Sequence, residues 1–339
     1  MIVTNSLTGG GAERSMNLAS NELFHRGWPV SLVPINSSAP DQVVPVCEVF
    51  PIERQWRGSL TGTLAALRKF YKIVKLWDPD VIVLNCDLPE LFGATLFSRR
   101  KLVVIEHVDR PWKTRITLGR TIRKLLKLRN SKWVTVSNHF VIWPELQVPD
   151  AVLPNAIVQT GTSPRSASLL SQVEMLRRLV FIGRLAPQKR PDWLLYIGKN
   201  SNFPVEIIGE GSMQESMQEL AGNESLQINF RGRLQEPWGE IKDGDLLIIP
   251  SEYEGDGLVV IEGMQQGLPM LVADIPDFRR FGFPDRNYCK NAEDFVDAVG
   301  IYSMNISALL IPEETSERIL ASRSVTFVGD DWEEFLNSI

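Results

Sequence analysis

The stretch LLIIPSEYEGDGLVVIEGMQQGLP, from Leu246 to Pro269, decides how this chain is read. Leu246–Ile249 is a short, wholly apolar run of the kind buried on both faces of a parallel sheet. It stops at Pro250-Ser251. A polar loop, Glu252 to Gly257, follows and feeds straight into a helical pattern from Leu258. Gly255 and Gly257 let backbone approach a ligand closely. The unsatisfied N–H groups of the first helical turn then point at it and suit anionic or hydroxyl oxygens. Glu254 precedes that turn, and Glu262 lies eight residues on. A carboxylate accepts two hydrogen bonds at once and matches a sugar or ribose diol. Spacing alone is equally satisfied if Glu254 partners the helix dipole and Glu262 is a solvated helix residue.

The same strand–loop–helix unit recurs outward in both directions. Candidate buried strands are Val30–Val33, Val81–Leu84, Leu102–Ile105 and Trp133–Val136, then Leu179–Ile182, Val205–Ile208, Leu226–Phe230, Leu246–Ile249 and Met270–Val272. Helical patterns lie between them, among them Ala12–Arg26, Leu60–Lys75, Asp192–Gly198 and Met213–Leu220. Strands alternating with helices predict an α/β fold of two doubly wound, Rossmann-like domains. The polar tract within residues 159–175 reads as a linker. It separates an N-terminal domain, 1–158, from a C-terminal one, 176–325. A last helix, 326–339, has Trp332 and Phe335 with which to dock back on the first domain. Ligands bind such sheets beyond the carboxyl ends of the strands, so the expected site lies in the cleft where two such edges face each other.

Bulk properties narrow the function. A chain of 339 residues is long enough for two cores, and 44% hydrophobic residues can fill them. A net charge of -5 argues against a general nucleic-acid binder. Cys47, Cys86 and Cys289 are far apart and form no C-x-x-C pair, so neither a zinc site nor a disulfide framework is expected. The chain shows no secretory leader and no apolar run of about 20 residues that could span a bilayer. Cytoplasm is the expected compartment.

Two further segments carry chemistry. Leu179 to Pro191 reads LVFIGRLAPQKRP: a strand ending at Gly183, then Arg184 and Lys189 on a short loop, where two cations suit a diphosphate. Gly9-Gly10-Gly11 stands between the first strand and the first helix and again permits close approach, or simply makes a tight turn. It is not G-x-G-x-x-G. His107 follows the strand Leu102–Ile105, at the end where functional groups gather. Asp78-Pro79-Asp80 and Asp243-Gly244-Asp245 spell D-x-D, yet each directly precedes a buried strand and reads as a turn. No metal site is expected.

Taken together these segments resemble glycosyltransferase family 4. The resemblance rests on the glycine turn before Ala12-Glu13-Arg14, the Val134-Thr-Val-Ser137 strand end, Leu153-Pro-Asn155, Gly183-Arg184 with Lys189, and Ile208-Gly-Glu-Gly211. Phe230-Arg-Gly232, Pro250-Ser251 and the E-x7-E spacing of Glu254 and Glu262 complete it. It implies a GT-B fold and transfer of a hexose-type sugar, with retention, from a UDP- or GDP-sugar, which is substrate rather than cofactor. The acceptor would be a saccharide or glycolipid in polysaccharide biosynthesis. It further implies that Arg184 and Lys189, after Gly183, bind the diphosphate. Glu254 with Gly255, Asp256, Gly257 and Leu258 would hold the donor sugar, and Glu262 the ribose. The stretch Arg231, Gly232 to Leu234 would meet the base. Gly10 and Gly11 would line the cleft near the phosphates, and His107 would sit near the transferred sugar. The sequence departs from the family at Arg190, where many relatives carry Gly, and at Asp256, where they often carry an aromatic. That carboxylate is expected to bind a sugar hydroxyl or cap the helix.

Two alternatives fit parts of this pattern: a sugar-nucleotide epimerase of similar fold, and a transferase-like binding subunit. The first needs acid/base residues in the cleft to hydrolyse or re-add the nucleotide, and none is assigned that role. The second is disfavoured by the presence of both cations and both glutamates. Finally, Lys113 to Lys132 carries eight basic residues and no acid, interleaved with Ile116, Leu118, Ile122, Leu125, Leu126 and Leu128. It predicts either a basic amphipathic helix for an anionic membrane surface, peripheral at its inner face, or a core helix with a solvated basic face.

Overall fold

A computed structural model describes residues 1–8, 10–37, 39, 43–54, 59–96, 99–107, 111–137, 140, 142–144, 147–158 and 175–339. The tract 159–174, expected as linker, lies outside them, as does Gly9. The chain divides into two compact units. Unit 1 is Met1–Val158 with Ser322–Ile339, and unit 2 is Gln159–Ala321.

Unit 1 is built on a parallel sheet ordered β3-β2-β1-β4-β5-β6-β7. Its strands are β1 (Ile2–Ser6), β2 (Ser31–Ser37), β3 (Glu48–Val49), β4 (Val81–Asn85), β5 (Lys101–Glu106), β6 (Lys132–Thr135) and β7 (Ala151–Val152). The helices are α1 (Gly11–His25), α2 (Leu60–Trp77), α3 (Asp87–Thr95) and α4 (Ile116–Leu128). Side chains alternate across each strand, as a period of two requires. Ile2, Leu32, Val103, Ile105 and Val134 pack on one face against Met16, Ala19 and Leu23 of α1. Val3, Val33, Leu102, Val104 and Trp133 pack on the other against Phe70 and Val74 of α2, Phe92 of α3, and Ile122 and Leu126 of α4. The continuous apolar runs in the sequence exist because both faces are covered.

Unit 2 repeats the design in the order β10-β9-β8-β11-β12-β13. Its strands are β8 (Arg178–Ile182), β9 (Val205–Ile208), β10 (Ile228–Gly232), β11 (Asp245–Ile249), β12 (Met270–Ala273) and β13 (Tyr288–Cys289). Its helices are α5 (Asp192–Ser201), α6 (Gln214–Asn223), α7 (Leu258–Gln265), the short α8 (Pro276–Arg279), α9 (Ala292–Tyr302) and α10 (Glu313–Ala321).

The chain then returns to unit 1 as α11 (Val325–Ser338). Val328, Trp332 and Phe335 enter the core beside α1. At the seam Arg26 donates to Asp330 (2.6 Å), Glu333 (3.1 Å) and the Thr326 carbonyl (2.8 Å), and the Trp28 indole donates to Glu333 (3.0 Å).

The basic segment departs from expectation at one residue. Arg123 is only 2% exposed. Gly119, Ile122, Arg123 and Leu126 share the buried stripe of α4, because steps of three and four return to one helix face. Arg123 is therefore a core residue, and a uniformly outward basic face is corrected accordingly. Its guanidinium donates to both oxygens of Glu90 (2.9 and 2.5 Å), to Glu106 and to the Trp143 carbonyl (2.7 Å). It also lies 5.2 Å from the ring centre of Trp133. Arg129 donates to the Gly93 carbonyl (2.7 Å) and Lys132 pairs with Asp150 (2.9 Å). Lys113, Arg115, Arg120, Lys124 and Lys127 remain exposed.

Candidate active site

In unit 2 the candidate groups gather beyond the carboxyl ends of β8 and β11, adjacent parallel strands. After β8 the chain passes Gly183 and the exposed Arg184, then makes a single 3-10 turn, Pro187–Lys189. The Lys189 ammonium lies 2.5 Å from Glu254 Oε1, and the Ser251 hydroxyl donates to the same oxygen at 2.6 Å. Two hydrogen bonds join these loops: Glu252 N–H donates to the Gln188 carbonyl (2.9 Å), and the Gln188 side-chain Nε2 donates to the Tyr253 carbonyl (3.0 Å). A cation and a carboxylate 65 positions apart in sequence thus meet at one sheet edge.

Glycine at two positions makes this edge possible. Gly209 ends β9 at φ +145°, and a Cβ there would stand 1.9 Å from the Gly183 carbonyl oxygen. Gly257 takes φ +64° as the N-cap of α7. Gly257 brings no side chain, so the cap residue itself makes no side-chain bond to the first turn of α7.

One of the two sequence readings of Asp256 is corrected. Asp256 does not cap α7, since Gly257 holds that place. Its buried carboxylate lies 2.7 Å from Arg280 Nη2, so its bonding partner here is a guanidinium. Arg231 likewise is committed within the fold: it pairs with Glu206 (3.0 Å) and Glu240 (3.2 Å), carboxylates that neighbour it across the sheet and the following turn. The Gly232 carbonyl accepts the Gly209 N–H at 2.8 Å, and Leu234 and Trp238 both pack against the cluster of Val180, Ile208, Ile241 and Leu268. The Trp238 indole donates to Glu262 Oε2 at 3.2 Å, which ties α7 to the segment after β10.

Four residues went unassigned in the sequence: Ser251, Trp238, Asp277 and Arg280. Asp277 Oδ2 accepts the Glu254 N–H at 2.8 Å. The sequence carried no signal for Arg280, because the burial of Asp256, which calls for a counter-ion, appears only in the fold.

Gly10, Gly11 and His107 belong to unit 1. Gly10 N–H donates to Glu13 Oε2 (3.1 Å) at the start of α1. His107 follows β5 and is buried. Burial pushes its imidazole pKa down to about 4, although the Asn155 side chain acts the other way. Near neutral pH the ring is neutral and can both donate and accept. Nearby in unit 1, burial raises Asp87, although its carboxylate accepts the Trp112 N–H at 3.0 Å.

Both D-x-D pairs have structural roles. Asp78 ends α2 with φ +49° and pairs with Arg100. Asp245 pairs with Arg178 (2.7 Å) at the start of β11. Among the described residues no group of three or more His, Cys, Asp or Glu is arranged to hold a metal ion.

Comparison with known proteins gives this geometry a context. Residues 170–282 match the family model described as glycosyl transferases group 1. An uncharacterised glycosyltransferase of Haemophilus influenzae is 23% identical over 98% of both chains. An Escherichia coli UDP-Gal:alpha-D-GlcNAc-diphosphoundecaprenol alpha-1,3-galactosyltransferase is 29% identical over 37% of this chain and 36% of its own. In fold, the chain is similar to Anabaena HepE in complex with UDP and glucose, at TM-score 0.73 and 20% identity over 100% and 99% of the two chains. The fold is GT-B. Family match, full-length relative and fold together support the GT-B glycosyltransferase superfamily.

Proposed function

We propose that the protein transfers a hexose-type sugar from a UDP- or GDP-sugar to a saccharide or lipid-linked saccharide acceptor in polysaccharide biosynthesis. The observation that carries the reading is the Lys189–Glu254 contact at the joined edge of β8 and β11. Lys189 and the exposed Arg184 take the diphosphate. The first-turn amides of α7 add partial positive charge that needs no reorganisation as the leaving group forms. A bound diphosphate competes for Lys189 and releases Glu254 toward a sugar hydroxyl. Glu262 takes the ribose, beside Trp238. Unit 2 is the donor unit and unit 1 the acceptor unit, with neutral His107 orienting a hydroxyl rather than carrying charge.

Transfer proceeds with retention through front-face attack. The glycosidic bond to phosphate breaks as the acceptor oxygen approaches, and a donor phosphate oxygen receives the acceptor proton. No carboxylate nucleophile is required. Arg184 and Lys189 supply the positive charge, so turnover survives EDTA.

On the acceptor side, α4 exposes Arg120, Lys124 and Lys127 together with Leu118, Leu125 and Leu128. On the same sheet face α2 exposes Arg68, Lys72 and Lys75 with Leu64 and Leu76, and contains no acid. Cations beside exposed leucines favour a peripheral place on an anionic lipid surface, where a lipid-linked acceptor resides. The name of the Escherichia coli relative includes such a lipid-linked sugar.

Release of nucleoside diphosphate tests the central claim. A panel of UDP- and GDP-sugars is incubated without acceptor, then with lipid-linked and free saccharides. Acceptor-dependent release with one donor is expected. Conversion of the donor to its epimer without transfer would favour an epimerase, and absence of binding to every nucleotide sugar would exclude the donor site.

A further inference from the structure

We propose that Arg280 is a positioning residue that sets donor-sugar selectivity through Asp256; the inference rests on the donor reading of unit 2. The argument begins with the loop Glu254–Gly257, which joins β11 to α7. Its shape is imposed by a second segment, Pro276–Phe281, that follows β12. Glu254 N–H donates to Asp277 Oδ2 at 2.8 Å. Arg280 Nη2 donates twice to Asp256, to its carbonyl oxygen at 2.8 Å and its carboxylate at 2.7 Å. Arg280 Nε donates to the Asp277 carbonyl at 2.9 Å, and its guanidinium lies 4.7 Å from the ring centre of Phe281. On the far side, a Cβ on Gly257 would stand 3.1 Å from Phe278. Both ends of the loop are thus held against one short segment.

Two consequences follow. Asp256 is 4% exposed and the Asp256 side chain alone 1%, so its charge depends on Arg280 for compensation. Arg280 also joins the two segments, with Nη2 on Asp256 and Nε on the Asp277 carbonyl, a planar two-nitrogen fork that lysine cannot reproduce. The diphosphate groups, Arg184 and Lys189, stand on a different loop, and Glu262 stands further along α7. Loss of the Arg280 fork should therefore disturb the sugar end of the donor site more than the nucleotide end. Glu254 and the α7 amides would meet hydroxyls in a less fixed geometry, and discrimination between hydroxyl epimers would fall.

The test compares the wild type with R280K, D256N and the apolar pair R280M/D256L. UDP affinity is measured by calorimetry, melting temperature by scanning, and kcat/KM with UDP-glucose and UDP-galactose, together with GDP-mannose as an unrelated donor. A positioning role predicts UDP affinity within about threefold of wild type in R280K and D256N. It also predicts kcat/KM for the preferred donor down tenfold or more, and an epimer ratio moved toward one. The apolar pair removes the buried charges together, so its stability should recover while selectivity stays low. R280K with wild-type kcat/KM and an unchanged epimer ratio would overturn the proposal. So would variants in which UDP affinity, turnover and melting temperature fall together at a constant ratio, since that marks a purely structural pair. A wild type that turns over no nucleotide sugar overturns the donor reading itself, and this inference with it.

Discussion

In the free protein the Lys189 ammonium lies against the carboxylate of Glu254. Lys189→Ala should lower kcat by roughly 10²–10³, the usual loss when one fixed donor to developing charge is removed. Steady-state kinetics with a saturating donor decide it, and undiminished turnover would detach Lys189 from the diphosphate. Glu262→Ala should instead act on donor binding. Loss of a charged hydrogen-bond acceptor is worth about 1.5–3 kcal/mol, which calorimetry with UDP would register. His107 makes a prediction about acid. Its folded pKa of about 4 lies below the ordinary histidine value, so in the window between the two the unfolded chain binds the extra proton. Stability from this group is fully present above pH ~6.5 and is lost as pH falls toward 4, by about 3 kcal/mol at most. In His107→Gln the acid-induced drop in chemical denaturation midpoint should be smaller across that window. An equal drop in both proteins would contradict the burial of a neutral ring.

The helices show which features a sequence can carry and which it cannot. The two sheets were legible because strands covered on both faces must be apolar throughout, and Leu246–Ile249 or Val205–Ile208 could be little else. The cluster beyond β8 and β11 was legible because its glycines and charges fall next to a strand end. Helix α3 was not: Asp87–Thr95 is nine residues long and mixes Pro, Gly and acids, so no periodic stripe stands out. Arg123 was not, because an arginine in a basic run looks solvated until Glu90 and Glu106 arrive from α3 and β5. The Asp256–Arg280 pair was hidden for the same reason, since each partner supplies only half of the information. For α4 the correction changes the experiment. Reversal of Arg120, Lys124 and Lys127 to Glu should abolish sedimentation with anionic vesicles and leave UDP affinity intact. Arg123→Glu should cost stability instead, about 3–5 kcal/mol, because it breaks a buried ion pair. Equal sedimentation of the wild type with neutral and anionic vesicles would make α4 a solvated face and favour a free saccharide acceptor.

At the scale of the whole molecule the chain crosses from unit 1 to unit 2 and back, and the return is structural. Val328, Trp332 and Phe335 fill the core beside α1, and Ile157 N–H donates to the Arg323 carbonyl at 3.0 Å. Removal of residues 322–339 should therefore loosen unit 1 while unit 2 stays protected, and hydrogen exchange would map the difference. Protection lost evenly from both units would deny α11 this role. The same connectivity imposes an order on synthesis. Unit 2 is one continuous segment and holds all its own residues once Ala321 has been made. Unit 1 begins first but ends last, and its sheet must wait with the α11 side of its core open while unit 2 is translated. At about 5–20 residues per second that interval is on the order of ten to thirty seconds. The first half of the nascent chain thus keeps one side of its core open until residues 322–339 follow.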